Sequence, residues 1–145
     1  MHPNICVCEA CAPVRNRTGV TILQHPTEVG HAKGTVRILT RCLANLRLFT
    51  GEMPGDFTWR KAAKILHQNP ELSALPRFHF ANPPASAYAI RKAPGEHRLA
   101  TAEAVAYLLN VLEPELDTRP IAHAMRTLVD KQLAQIPARL HRHYQ

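Results

Sequence analysis

Three short strand patterns alternate with longer helical patterns along the 145 residues of the chain. The first, TGVTILQH over 18–25, is rich in β-branched and apolar residues and stops at Pro26. The other two are RFHFAN over 77–82 and AYAIRK over 87–92. Strands that alternate with helices are typical of an α/β layered fold. Because three strands are few for that class, we expect a reduced, mostly parallel sheet with flanking helices.

Four segments have the apolar spacing of amphipathic helices, and one segment between them is typical of a turn. The turn is NPELSALP over 69–76, and Thr101 is the predicted cap of the third helix. The helical segments are TVRILTRCLANLRLF (35–49), TWRKAAKILHQ (58–68), TAEAVAYLLNVLEPEL (101–116) and IAHAMRTLVDKQLAQI (121–136). A chain of this length supports one domain, so residues 1–145 are treated as a single unit.

The formal net charge is +7, and nine histidines accompany it. Nucleic acid is the commonest acidic partner of a basic domain, although a basic surface without a dedicated ligand stays an alternative. No run of 18 apolar residues and no signal-peptide pattern is present, so we expect a cytoplasmic protein without a membrane span. The candidate phosphate contacts are Arg37, Arg41, Lys61, Lys64, Arg139 and Arg142.

Three of the four cysteines fall within the six residues CVCEAC. The thiolates of Cys6 and Cys8 can bind one zinc ion, because thiolate sulfur is a preferred zinc ligand. A tetrahedral site needs four donors, and His2 and Cys11 are the nearest candidates, although neither has a zinc-finger spacing. Ordinary half-buried thiols are the alternative. In either case we expect thiols rather than disulfides.

Four stretches occur in a characteristic order: NRTGVTILQHPTEVGHAKGT over 16–35, DFTWRKAAKIL over 56–66, SAYAIRKAPGEHRLATAEA over 86–104 and LVDKQL over 128–133. Together they resemble the DTW-domain family of tRNA-uridine aminocarboxypropyltransferases, which is related to the SPOUT class of RNA-modifying enzymes. The resemblance covers nearly the whole chain. It implies a SPOUT-like layered α/β fold.

Two features depart from the family pattern. Family members carry a C-x-x-C pair ahead of the pair that corresponds to Cys6 and Cys8, and the four cysteines resemble a zinc site. They also carry a few dozen residues, including a helix and a strand, before the Asp-x-Thr-Trp motif. Here LFTGEMPG over 48–55 runs directly into Asp56. We therefore expect a shortened DTW domain that lacks the strand leading into the motif.

The resemblance implies transfer of the 3-amino-3-carboxypropyl group of S-adenosylmethionine to N3 of a tRNA uridine. Asp56, Thr58 and Trp59 are the implied catalytic residues. Asp56 is the candidate base for the N3 proton, and its alternative role is to cap the following helix. Trp59 either stacks on a base or on adenine, or packs in the core and holds the turn that aims Asp56.

Seven residues are the implied contacts to S-adenosylmethionine. Arg91 can offer a carboxylate two parallel hydrogen bonds, and Lys92 can hold a phosphate. The alternative for both is a solvated strand end. Thr101 can bind a carboxylate through the free amides of a helix N-terminus, or only cap that helix. The full set is His25, Ser86, Tyr88, Arg91, Lys92, Thr101 and Glu103. His25 is also a candidate contact to RNA.

The expected partner is therefore tRNA, with no membrane and no protein partner. The expected activity depends on whether the shortened chain still frames a pocket. The first alternative is a non-catalytic relative that binds only RNA or S-adenosylmethionine. The second is a sequence that is incomplete as given.

Overall fold

The computed structural model describes residues 3–24, 26–51, 67, 69–90 and 99–137. These residues form an arrangement of helices and one small parallel sheet, which is compatible with the α/β class. The strands are β1 (Val20–Gln24) and β2 (Leu46–Thr50). The helices are α1 (Val36–Cys42), α2 (Pro70–Ser73), α3 (Thr101–Leu112) and α4 (Arg119–Leu133), with short 3-10 turns at Pro3–Ile5, Cys8–Ala10 and Pro26–Glu28.

Strands β1 and β2 pair in parallel, from Val20 opposite Leu46 to Gln24 opposite Thr50. The predicted strand over 18–25 is thereby confirmed. Ile22, at the centre of β1, is buried, so one face of the sheet packs on the core. Because the strands are parallel, both carboxyl ends meet at one edge of the sheet. The SPOUT-like arrangement of the whole fold stays a prediction.

The core lies where α1, α3 and α4 pack against one another. On α4 the buried residues recur at helical spacing and form one continuous apolar face. The predicted helix over 121–136 is confirmed with different bounds, since it begins at Arg119 and ends at Leu133. Pro120 lies in its first turn, where proline is tolerated. On these three helices, the side chains with at most 1% exposed surface are Ile38, Leu39, Ala102, Leu109, Ile121, Ala124 and Leu128.

The predicted helix over 35–49 is wrong in its second half. Helix α1 ends at Cys42, Leu43 is extended, and β2 begins at Leu46. The carbonyl of Cys42 accepts the backbone N–H of Val14 at 2.7 Å, and the N–H of Ala44 donates to the carbonyl of Val14 at 3.0 Å. The N–H of Ala44 has only one proton to donate, so its bond to Val14 takes the place of the helical bond to the carbonyl four residues earlier.

Strand β2 ends at Thr50, six residues before Asp56 in the sequence. Residues 52–66 lie outside the described part of the chain, so the expected lack of the strand that leads into the Asp-x-Thr-Trp motif stays a prediction. The omission of a family segment before Asp56 stays a prediction.

The two short strand patterns after residue 76 are not strands in the described residues. Residues 77–82 are irregular, and the part of the 87–92 pattern that is described, 87–90, ends in a turn. Prolines flank the first pattern at Pro76 and Pro83, and a proline cannot donate to a β-ladder. The alternation of apolar residues at 78 and 80 has a different cause, since Phe78 and Phe80 contact each other.

Three further boundaries differ from the expectations. The segment predicted as a turn over 69–76 contains the short helix α2, with Pro70 at its start. Helix α3 ends at Leu112 rather than at residue 116, because Pro114 disfavours helical geometry at Glu113. Thr101 is the first residue of α3 rather than its cap, which is Ala100. The predicted helix over 58–68 lies mostly outside the described residues.

A polar cluster joins the end of α3 to the turn before β1. The buried Glu113 carboxylate accepts the backbone N–H of Arg17 at 2.9 and 3.1 Å and that of Thr18 at 2.6 Å. The buried Asn16 side chain donates to the carbonyls of Thr18 and Asn45, and it accepts the N–H of Asn45 at 3.1 Å. These bonds fix the turn from which β1 starts and align it with the residue before β2.

We expect Glu113→Gln to lower the thermal midpoint at neutral pH, on the order of 5 °C. The backbone N–H of Arg17 and the hydrogen bonds from Thr18 lower the pKa of Glu113 from 4.5 to about 2. A carboxylate whose pKa is depressed in the folded state stabilises the protein above its unfolded pKa, and this contribution is lost as the pH falls through the folded pKa. The difference between the melting curves of the two proteins should therefore be constant above about pH 4.5, shrink below it, and vanish as the pH approaches about 2.

Glu115→Gln is the matched control, because Glu115 is exposed and lies two residues away. Its melting curve should follow that of the parent at every pH. A difference between parent and Glu113→Gln that is constant over the whole pH range would contradict the role of the charge.

Candidate functional site

The edge at the carboxyl ends of β1 and β2 is the candidate functional site. Ligands of open parallel sheets bind outside this edge. The N–H of Gly51 donates to the carbonyl of Gln24 at 3.4 Å, so the chain that leaves β2 starts beside the end of β1. The loop over 26–35 leaves the sheet at the same edge, and it contains part of the Gln-His-Pro-x-Glu motif.

Hydrogen bonds from three helices, α1, α3 and α4, hold the loop over 26–35. The carbonyl of Ala32 accepts the Gln132 amide at 2.7 Å and the Arg37 guanidinium at 2.8 Å. The hydroxyl of Thr35 accepts the backbone N–H of Ala102, in the first turn of α3, at 3.2 Å. The loop therefore has a defined position between α1, α3 and α4.

Lys33 connects this loop to the segment over 86–90. The Tyr88 hydroxyl donates to the carbonyl of Lys33 at 2.7 Å, and the ammonium of Lys33 donates to the carbonyl of Ile90 at 3.3 Å. Tyr88 and Ile90 are buried. The segment that leads into Arg91 is therefore attached to the loop that follows β1.

Glu103 holds the other end of the same segment. Its carboxylate accepts the Ser86 hydroxyl at 2.7 Å, the Ala87 N–H at 2.8 Å and the Ala100 N–H at 2.7 Å. The N–H of Tyr88 in turn donates to the Ser86 hydroxyl at 3.1 Å. The bond from the N–H of Ala100 to the side chain of the third helical residue is the reciprocal half of a capping box. Glu103 thus links the start of α3 to the 86–90 segment.

Three of the residues that sequence motifs assign to S-adenosylmethionine binding thus form one connected unit. Ser86, Tyr88 and Glu103 all have partners within the protein, and the described bonds give them a positioning role. Thr101 is exposed at the start of α3, one residue from the N–H that bonds to the 26–35 loop. Their assignment to donor binding stays a prediction.

The remaining predicted site residues lie outside the described part of the chain. Their roles stay predictions. They are His25, Asp56, Thr58, Trp59, Arg91 and Lys92.

Two of the predicted phosphate contacts, Arg37 and Arg41, lie on α1 and differ in their exposure. Arg41 is exposed, whereas burial lowers the pKa of Arg37 and its guanidinium bonds to Ala32. Arg37 therefore supports the 26–35 loop, and its contact to phosphate stays a prediction. The others, Lys61, Lys64, Arg139 and Arg142, lie outside the described residues.

All four cysteines are free thiols, as expected. The sulfurs of Cys6 and Cys8 lie 3.1 Å apart. Burial raises the pKa of Cys11 to about 11 and also raises the pKa of Cys42, which keeps both thiols protonated at neutral pH. Within the described ranges no group of three or more His, Cys, Asp or Glu side chains is arranged for a metal ion. Zinc at Cys6 and Cys8 stays a prediction, and His2 lies outside the described residues.

Sequence patterns missed the residues that hold the loop, although one of them carries a readable signal. Gln132 follows Leu128 by four residues and therefore lies on the apolar face of α4, where it is buried. A polar residue on a buried face predicts a bonded partner, because unpaired buried amides are costly. The partner itself, Ala32, is 100 residues away and has no signal in the sequence.

None of the helices in the part of the chain with described coordinates is long and apolar enough to cross a membrane. The family model of the DTW domain matches residues 1–54 and 55–136. No curated protein sequence and no solved structure matches the chain. The family match reaches from the first residue to residue 136, just past the end of α4, and it includes every motif that carried the resemblance. The chain therefore belongs to the DTW-domain family, the family of tRNA-uridine aminocarboxypropyltransferases.

Proposed function

We propose that this chain transfers the 3-amino-3-carboxypropyl group of S-adenosylmethionine to N3 of a uridine in tRNA. The observation that carries the proposal is the family match over residues 1–54 and 55–136. The family is linked to tRNA modification, and the net charge of +7 suits an RNA substrate.

The chemistry requires little covalent work from the protein. S-adenosylmethionine brings its own leaving group, because the transferred carbon is bonded to a sulfonium. The protein must hold donor and uridine in line and accept the N3 proton. Under the proposal Asp56 accepts that proton, and Thr58 and Trp59 belong to the turn that positions it.

The donor is proposed to bind along the segment that Glu103 and Tyr88 fix. Arg91 follows this segment directly, and its planar guanidinium suits the donor carboxylate. The bonds from Ser86 and Ala87 to Glu103, at 2.7 and 2.8 Å, support a fixed approach of the chain to Arg91. The other proposed donor contacts are His25, Lys92 and Thr101.

The second candidate function is binding of RNA or S-adenosylmethionine without catalysis. One observation favours it. The family match is in two parts that meet between Pro54 and Gly55, directly before Asp56. An omitted family segment at this point would produce such a break, and it would remove part of the frame around the proposed base.

The test is a transfer assay with purified protein, tRNA and S-adenosylmethionine, followed by digestion and mass analysis of the nucleosides. We expect an aminocarboxypropyl-uridine that is absent when the protein is omitted. A methylated nucleoside instead would show that the wrong carbon of the donor was assigned. Bound tRNA without any product would select the second candidate.

A further inference from the structure

A row of three aromatic rings attaches the irregular segment RFHF, residues 77–80, to α3. The ring of Phe80 packs edge to face on that of Tyr107, with centroids 5.1 Å apart and an angle of 77°. The ring of Phe78 packs edge to face on Phe80, at 5.1 Å and 71°. Edge-to-face pairs at this separation are favourable. Phe78 is therefore the outermost ring of a row that starts at Tyr107 on α3.

The outer ring of the row stays open to solvent. Phe78 is 50% exposed, whereas Phe80 and Tyr107 are both partly buried. Single exposed apolar residues are common on protein surfaces and need no explanation on their own. Here, however, the residues on either side of Phe78, Arg77 and His79, are also exposed. The segment thus has an exposed aromatic residue between an exposed arginine and an exposed histidine in the sequence.

We propose that Phe78, with Arg77 and His79, forms a stacking platform for an unpaired base of the RNA substrate. Nucleotides in single strands and loops bind proteins by stacking on aromatic rings while basic side chains neutralise their phosphates. The platform would add a contact to the RNA substrate of the proposed function. It rests on that function only because it takes RNA as the partner.

The charge of the segment favours RNA over a protein partner. Residues 77–80 contain no acidic side chain, and the whole chain carries a net charge of +7. A polyanion gains from both features, because each phosphate that it brings is attracted by the protein as a whole. The half-exposed ring of Phe78 adds an apolar surface on which a base can stack, in addition to the positive charge that attracts the phosphates.

The first experiment measures tRNA affinity by fluorescence anisotropy for the parent and for variants of Phe78. Phe78→Ala should weaken binding by about 5- to 150-fold, which is the range that loss of one base stack produces. Phe78→Tyr should bind like the parent, because it keeps the ring. Phe78→Leu should be as weak as Phe78→Ala if stacking, rather than apolar bulk, is what the site provides.

The matched control is Leu112→Ala. Leu112 is 52% exposed and lies at the end of α3, outside the aromatic row. Its loss should leave tRNA affinity unchanged. Circular dichroism of each variant checks that the fold is kept.

The second experiment uses a single-stranded RNA oligonucleotide that carries 2-aminopurine, whose fluorescence is quenched when the base stacks. Binding to the parent should quench it, and Phe78→Ala and Phe78→Leu should abolish the quenching. Arg77→Gln should keep the quenching but reduce the salt slope by about 0.7, the value for one phosphate of a single strand.

The outcomes separate this inference from the proposed function. Tight tRNA binding that is equal in the parent, Phe78→Ala and Phe78→Leu would overturn the platform and leave the transferase proposal standing. Binding that depends on Phe78, without formation of a modified nucleoside, would support the platform and overturn the transfer reaction. A parent protein that binds no RNA would overturn both.

Discussion

Replacing Asp56 with asparagine is expected to lower turnover by about 10²–10⁴-fold while the protein keeps its fold. Asparagine preserves the size of the side chain and an oxygen that can cap a helix, but it cannot accept the N3 proton of uridine. A capping role alone would therefore tolerate the change. Single-turnover measurements with saturating tRNA and S-adenosylmethionine give the rate of the chemical step for both proteins.

Asp130→Asn is the control for this experiment. Asp130 is exposed on α4, and the change removes the same charge from the protein. Its turnover should equal that of the parent. If Asp56→Asn also turns over like the parent, Asp56 is not the base, and the proposed site beyond the end of β2 is wrong.

The affinity for tRNA is expected to fall about 10³-fold between 50 and 200 mM salt if about six phosphates are neutralised. Counterions released from the RNA drive such binding, and added salt opposes their release. A titration at four or more salt concentrations gives the slope of log affinity against log salt. A slope near zero would remove RNA as the partner of the basic surface.

Two arginine variants sharpen the salt prediction. Arg41 is exposed on α1, and Arg41→Gln should reduce the slope by about 0.7–0.9 if it contacts one phosphate. Arg119→Gln is the control, because the guanidinium of Arg119 is 2.7 Å from the carboxylate of Asp117, which already balances its charge. Its slope should match that of the parent.

Several parts of the fold follow from the sequence alone. The β-branched run before Pro26 is β1, and the apolar spacing from Ile121 to Leu128 marks the buried face of α4. In both cases the signal is local, since one side of a single element is buried along its whole length. The order of the motifs also indicates the family, which the family match over 1–54 and 55–136 confirms.

The segment over 43–49 shows where local pattern fails. Its leucines at 43 and 46 fit the helix spacing that starts at Val36, and the same residues fit a short strand. Pairing with β1 decides between the two, together with the Asn45 amide, which donates to the carbonyl of Arg17 at 2.9 Å. Residues 28 positions apart make this bond, so no window of neighbouring residues contains it.

In the candidate site too, the sequence predicts some features and only the folded structure shows the others. The motifs single out Ser86, Tyr88 and Glu103 as members of one block, and their residue types are readable in the chain. Only the folded protein brings Glu103 onto Ser86 and the Tyr88 hydroxyl onto the carbonyl of Lys33, 55 residues away. Propensity and periodicity act over a few residues, whereas these bonds form once helices α3 and α4 have packed against α1. The sequence therefore shows which side chains are available, whereas the packing of the core decides which of them form hydrogen bonds with each other.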